Sequence, residues 1–164
     1  MHDEPRSLEE RVDLLRAFRG RFDLGEDFVY GIFSGDERQA LGGSGLHTRA
    51  GEGALEIGYW IRASAVGRGF AREATAALAR VAIRVCGVDR VEIRVDPANE
   101  ASLRIPRALG FAEEATLRRR LPAGEGEAPR DLVAFAVFAD EVDRTPVAQA
   151  RLEAFDALGR SIPL

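Results

Sequence analysis

Val66-Gly67-Arg68-Gly69-Phe70-Ala71 places two glycines one residue apart, directly ahead of a long helical pattern. Glycine lets backbone amides approach a ligand closely. The helix behind it adds unpaired N–H groups and the positive end of its dipole. Amides converging in this way bind phosphate or pyrophosphate. A bare Gly-x-Gly also reads as a plain tight turn. A dinucleotide-binding βαβ unit is set aside, because the third glycine is missing, residues Arg62–Ala65 separate strand from turn, and too few βα units follow.

Further polar residues flank this turn. Glu56 lies on the preceding strand pattern and shares one face with Gly58, Trp60 and Arg62. It can relay a proton through water or hold a salt bridge. Asn99 reads as the cap of a second helix. Cys86 ends the first helical pattern and reads as a small buried hydrophobe, with no base partner in view. His2 and His47 are far apart and read as surface or loop residues, and no metal-ligand spacing is present.

Taken together, the strings EIGYWI (56–61), GRGFAREA (67–74) and NEASLRIPRALGF (99–111) resemble the GNAT superfamily of N-acetyltransferases. Within it they resemble the RimJ/RimL-like branch of ribosomal-protein N-terminal acetyltransferases. The resemblance implies acetyl-CoA as cofactor. Its pyrophosphate would sit on Val66, Gly67, Arg68, Gly69, Phe70, Ala71 and Arg72, with Val66 standing where the family usually has Gln or Arg. Main-chain amides near Trp60, Ile61 and Arg62 would polarise the thioester where the sheet splays, and Asn99 would bond the pantetheine arm. Many family members protonate the departing thiolate from a helix tyrosine. Here that position is Pro106, and the Asn-x-x-Ser pattern offers Ser102 instead. Glu56 and Ser102 are thus the candidate catalytic residues. The activity implied is direct transfer of an acetyl group to a primary amine, on a protein or peptide N-terminus or a small molecule. An inactive acyl-CoA-binding or regulatory module on the same fold is the alternative.

Composition narrows the rest. A chain of 164 residues, 46% hydrophobic and 30% charged, reads as one soluble domain. No run approaches the ~20 apolar residues of a membrane span. The opening MHDEPRSLEER reads as neither secretory signal nor transit peptide. The single Cys86 excludes an internal disulfide and fits a reducing, cytoplasmic setting. Net charge is −4, all 23 basic residues being arginine, so neither nucleic acid nor membrane is expected as partner. The expected partner is the amine acceptor, with a homodimer possible. Arg118–Arg120 and Arg130 would repel an acceptor that is cationic over a wide surface.

The elements that must position these residues follow from periodicity. Ser7–Arg21 reads as a helix with Leu8, Val12, Leu15, Phe18 and Phe22 on its stripe and Ser7/Glu10 as capping box. Strands are expected at Asp27–Ser34, Gln39–His47, Ala54–Arg62, Arg90–Val95, Glu113–Arg118 and Asp131–Phe138. The helix after the glycine turn places Phe70, Ala74, Leu78, Val81 and Val85 inward, with Arg72, Arg80 and Arg84 on the wet face. Thr145–Leu158 reads as a terminal helix, at about 145–159 of a single 1–164 domain. The resemblance implies an α+β fold: a mixed, largely antiparallel, splayed sheet flanked by helices, lacking the family's usual first strand. The strand at Asp27 should then lie near a sheet edge, covered by the terminal helix or a second subunit.

Overall fold

The computed structural model describes residues 7–123 and 128–164. His2 and the centre of the loop after Arg120 lie outside them. Helix α1 (Leu8–Asp23) opens with the expected capping box. The Glu10 amide donates to Ser7 Oγ at 3.2 Å, and the Ser7 amide donates to Glu10 Oε2 at 2.7 Å. Strands β1 (Asp27–Phe33), β2 (Ala40–His47) and β3 (Ala54–Ile61) follow as an antiparallel meander. Next come α2 (Phe70–Arg84), β4 (Arg90–Val95), α3 (Glu100–Ala108), β5 (Ala112–Leu121) and β6 (Arg130–Phe138). The sheet order is β1-β2-β3-β4-β6-β5, and only the β3–β4 pair is parallel. This is the mixed, largely antiparallel sheet that the motifs imply.

Register assigns the two faces. Leu46, Ile57, Val91, Ile93, Phe135 and Val137 share one face and form the core with Ala76, Ala79, Ala82 and Ile83 of α2 and Leu103 of α3. α1 reaches the same face through Phe22, whose ring packs edge-on against Phe28 and Tyr30 at 5.4 and 5.5 Å. The opposite face carries Asp27, His47, Glu56, Glu92 and Arg94 instead.

Several expectations change. No residue of α1 is buried and Leu8 is 77% exposed; only Leu14, Phe18 and Phe22 are half-buried. On α2 the buried stripe is Thr75, Ala76, Ala79, Ala82 and Ile83, while Val85 is exposed and Leu78 and Val81 flank it. Small side chains there let the helix axis lie close to the sheet. Arg80 is not wholly wet, since it donates to the Ala150 carbonyl at 2.7 Å. Cys86 is exposed, not buried: α2 stops at Arg84, and the chain turns away through Gly87 at φ 69°.

The terminal helix does not form. Pro146–Gln149 is one 3-10 turn, and Ala154–Phe155 (β7) pairs with Ser161–Ile162 (β8) in a small hairpin. Tertiary contacts override the helical periodicity. Val147 is fully buried, and Asp156 Oδ1 accepts from the Leu158 and Arg160 amides, a side-chain-built turn closed by Gly159 at φ 76°. The terminal segment therefore packs on α2, and β1 is an edge strand whose end shares a cavity with Arg151–Glu153 of that segment.

Candidate active site

The glycine turn is built for close approach. Gly67 and Gly69 adopt φ of 81° and 88°, which L side chains rarely hold, and a Cβ on either would meet nothing within 4 Å. Gly69 is the N-cap of α2, so the first amides of a 15-residue helix point past it. Arg68 stacks over the Phe70 ring at 4.8 Å. Beside this turn a groove of about 500 Å³ runs to Tyr59, Asn99 and Ser102. It is lined by Trp60, Ile61, Val66, Gly67, Gly69, Phe70, Ala71, Arg72, Asn99 and Ser102 among the expected residues. Arg68 and Arg62 are not among its lining: Arg68 leans toward the far side of the turn, and Arg62 is turned to the Ala40 carbonyl. A larger cavity of about 750 Å³ opens between the end of β1 and α2. It lacks the convergence of glycine amides that the smaller groove has.

The groove continues through the sheet. β3 pairs with β4 only from Ala54 to Glu56, then diverges from it. A slot of about 210 Å³ fills the gap, sharing Tyr59, Asn99 and Ser102 with the groove and ending at Glu56, Gly58, Arg49 and Arg94. The Arg62 amide donates to the Leu41 carbonyl at 2.9 Å, and strand alternation turns Trp60 the same way. The amides facing the slot are thus those of Tyr59 and Ile61. Of the three residues expected to polarise a carbonyl, only Ile61 is so placed, and Tyr59 joins it.

On the helix side, Asn99 caps α3 by accepting from the Ser102 amide at 3.1 Å. Pro106, buried in the core, has no N–H to offer the Ser102 carbonyl. Tyr59 fills that vacancy, its hydroxyl donating to the carbonyl at 3.1 Å. The carbonyl is therefore not left to water or ligand. Burial holds the Tyr59 phenol well above its ordinary range, at about 12. The i+43 spacing between the two residues carried no sequence signal for this contact.

On the other face, Glu56 is 5% exposed and lies between two guanidiniums. Arg49 Nη2 reaches Oε1 at 2.5 Å, and Arg94 Nη1 stands 3.4 Å from Oε2 without hydrogen-bond geometry. The chain of charges runs on through Glu92 and Arg90 to Glu114. The salt-bridge reading of Glu56 is thus realised, and its Oε2 still lacks a hydrogen bond. Arg130 is ion-paired with Asp96, at the slot's rim, while Arg118–Arg120 lie on exposed β5, separated from β3 by β4 and β6. His47, read as a surface residue, is largely buried at the end of β2 and bonds Asp27.

Comparison with known proteins agrees with this architecture. The family model described as the acetyltransferase (GNAT) domain matches residues 1–112, and the chain belongs to that family. Over 114 residues it is 28% identical to the uncharacterized N-acetyltransferase YoaA of Bacillus subtilis (strain 168). That match covers 69% of this chain and 64% of YoaA, under two thirds of the relative's length. Among solved structures, RimJ of Mycobacterium smegmatis in complex with CoA-disulfide superposes with TM-score 0.78 at 23% identity, over 91% of this chain and 72% of that one. The ribosomal-protein-S5-alanine acetyltransferase of Vibrio fischeri gives 0.72 at 20%, over 85% and 79%. At these identities the likeness is one of fold.

Proposed function

We propose that residues 1–164 act as one acetyl-CoA-dependent N-acetyltransferase domain of the RimJ/RimL-like kind, acting on a primary amine. The observation that carries this reading is the groove running from the glycine turn of α2 into the β3–β4 slot. Pyrophosphate would lie on the amides after Gly67, with Arg72 beside it. Pantetheine would run past Asn99, and the thioester would reach the Tyr59 and Ile61 amides. These would share the charge that develops on its carbonyl oxygen. The amine nitrogen attacks the carbonyl carbon, the C–N bond forms, the C–S bond breaks, and the thiolate takes a proton. The helices occupy one face of the sheet, so the amine enters from the other, where Glu56 ends the slot.

Ser102 and Tyr59 both border the slot and are the two proton sources within it. The Tyr59 phenol keeps its proton across ordinary pH, and can pass it on only if it is regained at once. Ser102→Ala should lower turnover about 10²-fold at the low end of general-acid effects, with acetyl-CoA affinity unchanged. If Tyr59→Phe takes the larger loss, the phenol is the donor.

Binding and turnover separate this reading from a silent acyl-CoA module, which the double ion pairing of Glu56 would suit. Acetyl-CoA at ~100 times its dissociation constant should stabilise the fold by roughly 2.7 kcal/mol, read as a rise in Tm that NAD does not reproduce. Thiol release with a panel of peptides and small amines then tests catalysis. A Tm rise without thiol release from any acceptor identifies the silent module, and no rise removes the cofactor assignment.

A further inference from the structure

His47 and Asp27 sit on the face of the sheet opposite the three helices, beside Gly58 of the slot's wall. His47 Nδ1 is 2.5 Å from Asp27 Oδ1, and both side chains are 18% exposed. A carboxylate accepts, so Nδ1 carries a proton, and in the neutral ring Nε2 holds the lone pair. The ring lies over two glycines of neighbouring strands. A Cβ at Gly45 would stand 3.1 Å from Nε2, and one at Gly58 would stand 3.0 Å from it. Gly58 is itself a wall of the slot. The glycines therefore keep open the space that holds the imidazole, with Nε2 beside the Gly58 wall of the slot.

We infer that the Asp27–His47 pair takes the proton that an incoming ammonium must shed before it can attack. The inference rests on the acetyltransferase reading. Glu56, the residue paired with His47 across β2 and β3, is poorly suited to that task. Protonating it would leave Arg49 and Arg94 without their shared counter-charge in a nearly buried place. Protonating His47 instead forms an imidazolium directly against Asp27. The charged groups around the ring are Asp27 from β1, Arg21 of α1 at 3.9 Å from Asp27 Oδ2, Arg49 after β2 and Glu56 of β3. In the balanced step the ammonium gives one proton to Nε2, directly or through one water. The free amine forms the C–N bond, the C–S bond breaks, and the thiolate takes a proton from the helix-side hydroxyl. The second proton, shed by the nitrogen as it becomes an amide, restores that hydroxyl, and imidazolium returns its proton to solvent.

The test is kcat/KM for the best acceptor of the panel, measured against pH at saturating acetyl-CoA, in wild type, His47→Gln, Asp27→Asn and Gly58→Ala. His47→Gln should lose about 10²-fold and move the rise of activity with pH up toward the amine's own ionisation. Asp27→Asn should show a smaller loss with the same upward move, and Gly58→Ala, by pushing the ring aside, should reproduce part of it. The Tm rise with acetyl-CoA should be the same in all four. Should His47→Gln fail to fold, the other two variants decide. Active variants with the wild-type pH profile overturn the inference alone. A loss that comes with a lost acetyl-CoA response also overturns it, showing general damage. Wild type inactive with every amine fails the acetyltransferase reading, and this inference with it.

Discussion

Single residues decide how this site is shaped. Gly67 and Gly69 are needed for their left-handed backbone conformation, and Gly67→Asp should abolish the Tm rise with acetyl-CoA by setting a carboxylate beside the N-terminal amides of α2. Its cost in intrinsic stability should be only about 1–2 kcal/mol, that of a left-handed residue. Tyr59 allows a sharper reading. Burial raises its phenol to about 12, and burial also raises Tyr30, the chain's other tyrosine. In Tyr30→Phe the one remaining phenolate signal should titrate near 12, not near ~10 as in a free tyrosine. The sign for stability follows. Because the folded value exceeds the unfolded one, the contribution is fully present below ~10 and is lost as pH rises through the folded value. Tyr59→Phe should flatten that alkaline loss of stability. A signal at 10 from a folded protein would contradict the burial of this phenol.

At the scale of elements, α2 acts as the lever of the groove. It is set close to the sheet by Ala76, Ala79 and Ala82, and this fixes where its N-terminal amides point. Ala79→Leu inserts three carbons at a position with no exposure, and should cost about 1–3 kcal/mol. It should also weaken acetyl-CoA binding by tilting the helix. Arg84→Ala, which removes only an exposed pair with Asp143, should leave stability nearly unchanged. Chemical denaturation and the Tm response together separate the two. α3 shows how one element serves two purposes. Asn99 caps its start while lining the slot, and Pro106 frees a carbonyl that anchors Tyr59 from across the gap.

At the scale of the whole molecule, the terminal segment is held to α2 by Val147 and by the Arg80 bond to Ala150. Val147→Ala should cost about 1–3 kcal/mol, and deleting Thr145 onward should destabilise further by uncovering α2. If the deletion leaves Tm unchanged, the segment is an appendage. Order and type of the six main strands and three helices were legible beforehand, because periodicity, capping and turn chemistry are local and agree with one another. The groove was legible for the same reason: Gly67, Gly69 and Asn99 act through their own backbone neighbourhoods. Periodicity misjudged the terminal segment, where buried Val147 and the Asp156 turn outweigh helical spacing, and misjudged Cys86, which lies just past the helix end. The slot could not be read at all. Its parts come from the turn after β2, from β3, β4 and α3, and only the divergence of β3 from β4 brings Tyr59, Ser102, Glu56 and Arg49 around one gap. Local propensity names the elements, but which side chains meet across the sheet depends on strand register and splay, set by the packing of the whole core.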